Sequence, residues 1–123
     1  MKQTYIVPFF KDGVHMVGNR SVAVTVPEKE SQIFNNQIFS ELTLEVKGTA
    51  GSSAFPVVLS GCIDNEANQT FFNIAGINLT DFKPELTITE PGLYSFSVSG
   101  ISHLKVALNA TGSDLTVTGK FSE

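Results

Sequence analysis

The chain has 123 residues, a formal net charge of −4, 41% hydrophobic residues and only 16% charged residues. This length suits one domain with a sizeable core, so we predict a single domain over residues 1–123. The eight basic residues form no cluster, which argues against nucleic acid as a partner because phosphate neutralisation needs a concentrated basic face. No apolar run approaches the roughly 20 residues that span a bilayer, so we expect no membrane partner.

The first residues predict two strands joined by a tight turn. Thr4 to Phe10 is apolar and rich in strand-forming residues, but Pro8 cannot donate to a ladder, so we predict an edge strand or a strand that bends there. Asp12-Gly13 between two apolar runs predicts a hairpin turn. The N-terminus lacks the apolar region and cleavage site of a secretory signal, so we expect folding in a cytosol.

The next part of the chain combines one regular strand with one irregular segment. Ser21 to Val26 alternates between Val and smaller residues, which predicts a strand with one buried face. Pro27 to Glu41 is the candidate helical segment, with acidic residues in its first turn. Asn35-Asn36 interrupts it, so we predict a loop with at most one or two helical turns.

Three strands are predicted in the middle of the chain. Glu41 to Lys47 (ELTLEVK) alternates most regularly and predicts a sheet with one buried and one solvated face. Phe55 to Cys62 is a more continuously apolar run, which indicates a central strand covered on both faces. Phe71 to Ile77 is apolar again around Gly76.

Short alternating runs continue to the end of the chain. Glu85 to Thr89 alternates around Leu86 and Ile88 and stops before the turn dipeptide Pro91-Gly92. Three later sets of apolar residues each share a face: Tyr94, Phe96 and Val98; Leu104, Val106 and Leu108; Leu115, Val117 and Phe121. Such strands with frequent turns predict an all-β fold, an antiparallel β-sandwich of jelly-roll or immunoglobulin-like form, with about eight strands and at most one short helix.

Four glycines interrupt these strand-like runs. Gly61, Gly76, Gly100 and Gly119 lie within strands or at their ends, where they predict bulges or tight corners.

The groups that carry enzyme chemistry are sparse. Cys62 is the single cysteine and lies on an apolar strand, so we interpret it as a buried structural thiol. His15 and His103 are interpreted as solvent-facing strand residues, because a catalytic set would need one of them beside a nucleophile and an acid. We therefore predict no enzyme activity, no catalytic residues and no cofactor.

Acidic residues give no stronger indication of a site. The loop from Asp64 to Asn68 loosely resembles a Ca²⁺ loop but lacks the glycine and the spacing, so we predict a solvated loop and no metal. Asp64, Asp81, Glu85 and Glu90 are the candidates for a glycosidase carboxylate pair. They are candidates by default, since the sequence does not bring them together.

Several segments resemble small virion proteins of tailed bacteriophages and of prophages of Gram-positive bacteria. The resemblance is carried by GLYSFSVSG (Gly92 to Gly100), SHLKVAL (Ser102 to Leu108) and GSDLTVTGK (Gly112 to Lys120). LTLEVKGTA (Leu42 to Ala50) and LSGCID (Leu59 to Asp64) are similar to paired strands of the same proteins. The resemblance covers roughly the last two-thirds of the chain and rests on strand and turn residues.

The resemblance implies a β-sandwich that works in capsid decoration, in a tail or in a baseplate. It implies a homo-oligomer that contacts other virion proteins, and a virion location after synthesis in the bacterial cytoplasm. The first forty residues lie outside the resemblance, so attachment or specificity is expected there and in the loops around Asp64 and Asp114.

A carbohydrate-binding β-sandwich that recognises a host surface glycan is the alternative function. Such sites stack sugars on exposed aromatic rings, and the chain has no Trp. Only Tyr5 and Tyr94 offer polar-edged rings, and the position of Tyr94 on an apolar strand face predicts that it is in the core.

Overall fold

The structure, a computed structural model, describes residues 3–18, 29–63 and 70–123 with their side chains, and residues 20–21 through their backbone. These residues form twelve strands and no helix. In chain order the strands are β1 (Thr4–Lys11), β2 (Val14–Val17), β3 (Arg20–Ser21), β4 (Phe34–Asn35), β5 (Glu41–Lys47), β6 (Val58–Cys62), β7 (Phe72–Asn73), β8 (Gly76–Asn78), β9 (Pro84–Glu85), β10 (Gly92–Ser97), β11 (His103–Ala107) and β12 (Thr116–Ser122).

The strands form two antiparallel sheets with the hydrophobic core between them. The larger sheet has the order β3-β2-β1-β12-β5-β10-β8-β9, and the smaller has the order β4-β11-β6-β7. The predicted all-β antiparallel sandwich is therefore confirmed. Eight of the twelve described strands are three residues or longer, which agrees with the predicted number. Among the described residues, no helix is long and apolar enough to cross a membrane.

The first hairpin forms where the sequence predicts it. Asp12 and Gly13 both have positive φ, 50° and 77°, as the two central residues of a type I′ turn require. Gly13 N donates to Leu115 O at 2.8 Å, which joins the turn to the residue just before β12. The register between β1 and β12 shifts between Pro8 and Phe10, so the predicted bend at Pro8 is confirmed.

The centre of the larger sheet contains β5, which pairs with β12 along its whole length and with β10 from Glu41 to Val46. Leu42, Leu44 and Val46 are buried, while the alternate residues of β5 are half-buried or exposed. The predicted alternation of Glu41 to Lys47 is confirmed. The predicted faces of β10 and β12 are also buried, as are Leu104 and Val106 on β11.

The smaller sheet places β6 between β11 and β7. Consecutive residues from Leu59 to Cys62 are all buried, so both faces of β6 are covered as predicted. The strand begins at Val58 and not at Phe55.

The segment before β5 is a loop that crosses the smaller sheet. Ser31 N donates to Val106 O at 2.8 Å and Ser31 Oγ accepts from Val106 N at 2.8 Å. Asn36 is buried, and its Nδ2 donates to the carbonyl oxygens of Phe39 and Ile101, both at 3.0 Å. Residues 29–40 contain the short β4 and no helix, so the loop prediction holds there. Residues 22–28, which include most of the predicted strand Ser21 to Val26, lie outside the described residues.

Two interpretations require correction. Ile88 is buried and pairs with Val57 in an isolated bridge, but Leu86 is exposed. The predicted strand Glu85 to Thr89 does not form, because β9 already ends at Glu85. Gly119 and Gly76 mark close packing rather than bulges: a Cβ on Gly119 would lie 2.6 Å from the Phe9 ring, and one on Gly76 2.5 Å from the Phe96 ring.

Candidate protein–protein interface

An apolar cleft of about 480 Å³ opens beside the edge strand β7. Gly61 pairs with Phe72 across β6 and β7. A Cβ on Gly61 would lie 2.7 Å from Ile101 Cγ2 and 2.8 Å from Ile74 Cδ1, so the glycine leaves the space that these side chains need. The lining residues are Gly61, Cys62, Ile63, Thr70, Phe72, Ile74 and Ile101.

The mouth of this cleft is strongly exposed. Ile63 is 77% exposed and Phe72 is 69% exposed. A cleft of this size with few polar groups can receive an apolar ligand or an apolar side chain of another protein.

Cys62 is 7% exposed, which agrees with the interpretation of a buried thiol. The structure also places it directly opposite His103 in the β6–β11 pairing, and His103 in turn opposite Asn35 in β4. The sequence interpretation missed this row, because it becomes visible only when the register of three strands that are distant in sequence is known.

The two histidines lie in different sheets and have different surroundings. His103 is half-buried and not exposed as predicted, and its Nδ1 lies 3.0 Å from Ser102 Oγ. His15 is on β2, in the other sheet, where its Nδ1 is buried with no hydrogen bond among the described residues. The structure therefore keeps the two imidazoles apart.

Three of the four candidate carboxylates lie around one tyrosine. Tyr94 is in the core as predicted, and its hydroxyl donates to the carbonyl oxygen of Glu90 at 2.7 Å. Burial raises the pKa of Tyr94, and the negative charges of Glu85, Glu90 and Asp81 raise it further. In the described ranges, no three His, Cys, Asp or Glu side chains are placed to hold a metal ion. The fourth carboxylate, Asp64, and the loop to Asn68 lie outside the described residues.

The loop around Asp114 is held by Thr49. Thr49 Oγ1 donates to Asp114 Oδ2 at 2.6 Å, and Thr49 N donates to the same carboxylate. These hydrogen bonds lower the pKa of Asp114, because they favour its charged form. The contact joins the turn after β5 to the turn before β12.

Two further aromatic rings are presented to solvent. Tyr5 is 55% exposed, with its ring centroid 5.9 Å from that of Phe34. Phe82 is 75% exposed and has a φ of 59°, in the left-handed region that bulky residues rarely adopt. Its N donates to Asn78 O at 2.7 Å, which holds the loop between β8 and β9.

Solved structures share this fold. No known family and no curated protein matches the sequence. The chain is similar in structure to the SPBc2 prophage-derived protein YomS, with a TM-score of 0.75 and 18% identity over 100% of this chain and 96% of YomS. It is also similar to the PBSX exported protein XepA, with a TM-score of 0.76 and 18% identity over 99% of this chain. The chain spans 38% of the length of XepA.

Proposed function

We propose that this chain is a non-enzymatic structural protein of a bacteriophage or prophage particle, where it works through protein–protein contacts. The observation that carries the proposal is the match in fold to prophage-derived YomS, which extends over nearly the whole of both chains. The sequence resemblance to small virion proteins points to the same class.

The surface supports a role in assembly. Ile63, Phe72 and Phe82 are large apolar side chains that each expose more than two-thirds of their surface. Two of them flank the cleft beside β7, and apolar surface gathered beside a cleft is typical of a contact site. A glycan-binding role has less support, because Tyr94 is buried and only Tyr5 remains as an exposed polar-edged ring.

The proposal is tested on purified particles. After induction of a bacterium that carries the gene in its prophage, we expect the protein to copurify with particles through a density gradient in a fixed ratio to the major capsid protein. A protein that is abundant in the lysate but absent from purified particles would contradict the proposal. Saturable binding to isolated cell walls, without particle association, would support the glycan-binding alternative.

The proposal that the chain is not an enzyme is tested at Cys62, because this residue is paired with His103 across β6 and β11. An activated cysteine exists as a thiolate and is alkylated rapidly at neutral pH. We expect the native protein to react slowly with iodoacetamide and the unfolded protein to react fully, with no change of the native rate in a His103→Gln variant. Rapid native alkylation that the His103→Gln change abolishes would indicate a nucleophile.

A further inference from the structure

The outer face of the larger sheet carries side chains in two parallel rows that cross the strands. The cross-strand pairs from β1 to β8 define a Thr43 row, which consists of Ile6, Lys120, Thr43, Ser95 and Ile77. The adjacent pairs define a Glu45 row, which consists of Pro8, Thr118, Glu45 and Leu93, and Leu79 continues it because its N donates to Leu93 O. All of these side chains are half-buried or exposed.

Between the two rows lies one row whose side chains point to the other face. It contains Val7, Gly119, Leu44, Tyr94 and Asn78, which are paired in that order across the sheet. Consider a two-fold axis that runs parallel to this row, just outside the sheet and midway between two copies. Rotation about this axis places the outer face of a second copy against the outer face of the first. Each strand would then lie over the same strand of the second copy, with its direction reversed.

This axis matches opposite charges. It places Glu41 over Lys47 of the second copy, because both lie three residues from Leu44 on β5. It also places Lys120 over Thr118 of the second copy. Because Thr118 and Glu45 are cross-strand neighbours, Lys120 then lies beside Glu45 of the second copy. Within one copy Lys47 Nζ lies 3.4 Å from Glu45 Oε1. The four charged residues on this part of the face are Glu41, Glu45, Lys47 and Lys120. In the complex each of them lies near a residue of opposite charge.

The same axis matches apolar residues. On β1 it places Ile6 over Pro8, and just beyond β10 it places Ile77 over Leu79. Apolar side chains thus meet at the two outer strands of the face, while β5 places Thr43 over Glu45 and β10 places Ser95 over Leu93. Contacts that repeat on both sides of one axis are what a self-complementary interface requires.

We propose that the outer face of the larger sheet is a two-fold self-association surface whose occupant is a second copy of this chain. The inference rests on the proposed function, since it names the contact by which such a structural protein assembles. Five strands, and the length of β5 from Glu41 to Lys47, give a contact of about 25 by 20 Å, roughly 500 Å² in projection. This is below the roughly 800 Å² per partner of stable complexes. The dimer therefore forms reversibly and becomes persistent at the high local concentration of an assembled particle.

Sedimentation velocity over a range of concentrations tests the surface. The native chain should dimerise reversibly, and more weakly at high salt. Lys120→Glu brings two acidic side chains together at each contact, and Glu45→Lys brings two basic ones together, so each variant alone should lose at least ten-fold in association. Lys83→Glu, which changes an exposed lysine on the β8–β9 loop, should associate like the native chain.

The decisive measurement is an equal mixture of the two variants. In a mixed dimer the glutamate introduced at position 120 faces the lysine introduced at position 45 at one contact. At the other contact the native Lys120 faces the native Glu45, so association should return to near the native value. A native chain that stays monomeric at several hundred micromolar overturns the inference, as does association that the two changes do not affect or that the mixture does not restore. Such a failure leaves copurification with particles unaffected, whereas absence from particles contradicts the proposed function and not the interface.

Discussion

Individual polar residues hold this sandwich together where its strands end. Asn36 joins its own loop to the turn after β10 through its side-chain amide, and Phe39 N donates to its Oδ1 at 2.9 Å. Thr49 and Asp114 join two turns in the same way. The groups around Asn36 are buried, and buried carbonyl and amide groups cost free energy when they lose their partners. The Thr49–Asp114 contact is exposed, so it contributes less. These side chains therefore contribute to the stability of the fold.

Tyr94 gives a prediction about pH. Its pKa is raised in the folded protein by burial and nearby carboxylates, so its neutral form is favoured there. The associated stability is fully present below the unfolded pKa of about 10 and is lost as the pH rises through the folded pKa. We expect Tyr94→Phe to cost about 1 kcal/mol at pH 7, through loss of the hydrogen bond to Glu90 O, and to reduce the loss of stability above pH 10.

Urea denaturation at pH 7 and at pH 10.5 measures both effects. Tyr5→Phe is the matched control, because Tyr5 is the only other tyrosine and is largely exposed. If the native protein and Tyr94→Phe lose the same free energy of unfolding between pH 7 and pH 10.5, groups other than Tyr94 cause that loss.

Two strand glycines, Gly119 and Gly61, leave equally little room for a Cβ atom, but their surroundings differ. A Cβ on Gly119 in β12 would meet Phe9 and Leu42 inside the closed core, whereas one on Gly61 in β6 would meet the ends of Ile74 and Ile101 beside an open cleft. Crowding in a closed core costs more because the neighbours cannot move away.

We therefore expect Gly119→Ala to lower the free energy of unfolding by about 2 kcal/mol or more, and Gly61→Ala to lower it by less. Chemical denaturation of both variants at low protein concentration measures the difference. An equal cost would mean that Ile74 and Ile101 are held as firmly as the core.

The buried faces of the longer strands were predictable from the sequence because apolar and polar residues alternate along them. The buried faces of β5, β10 and β11 follow the period of two, so they were predictable without the structure. The strands β7 and β9 have only two residues each, too few to show a period. The row of Asn35, His103 and Cys62 was not predictable either, since strand register depends on contacts between distant parts of the chain.

In the molecule as a whole, stability is expected to be greatest at the centre of the larger sheet. β5 is paired on both sides from Glu41 to Val46, and its inward side chains are buried. Hydrogen exchange should therefore be slowest in β5 and β12 and faster in the edge strands β7 and β9. Exchange in β5 as fast as in β9 would contradict this sheet order.

The position of β12 has a consequence for how the protein is made. This strand lies between β1 and β5, and Gln3 N donates to a carboxylate oxygen of Glu123, 120 residues later. During synthesis β1 and β5 emerge long before the strand that joins them. Until Thr116–Ser122 leaves the ribosome, both present unpaired edges that can bind other chains. We therefore expect the yield of folded protein to depend on complete translation of β12.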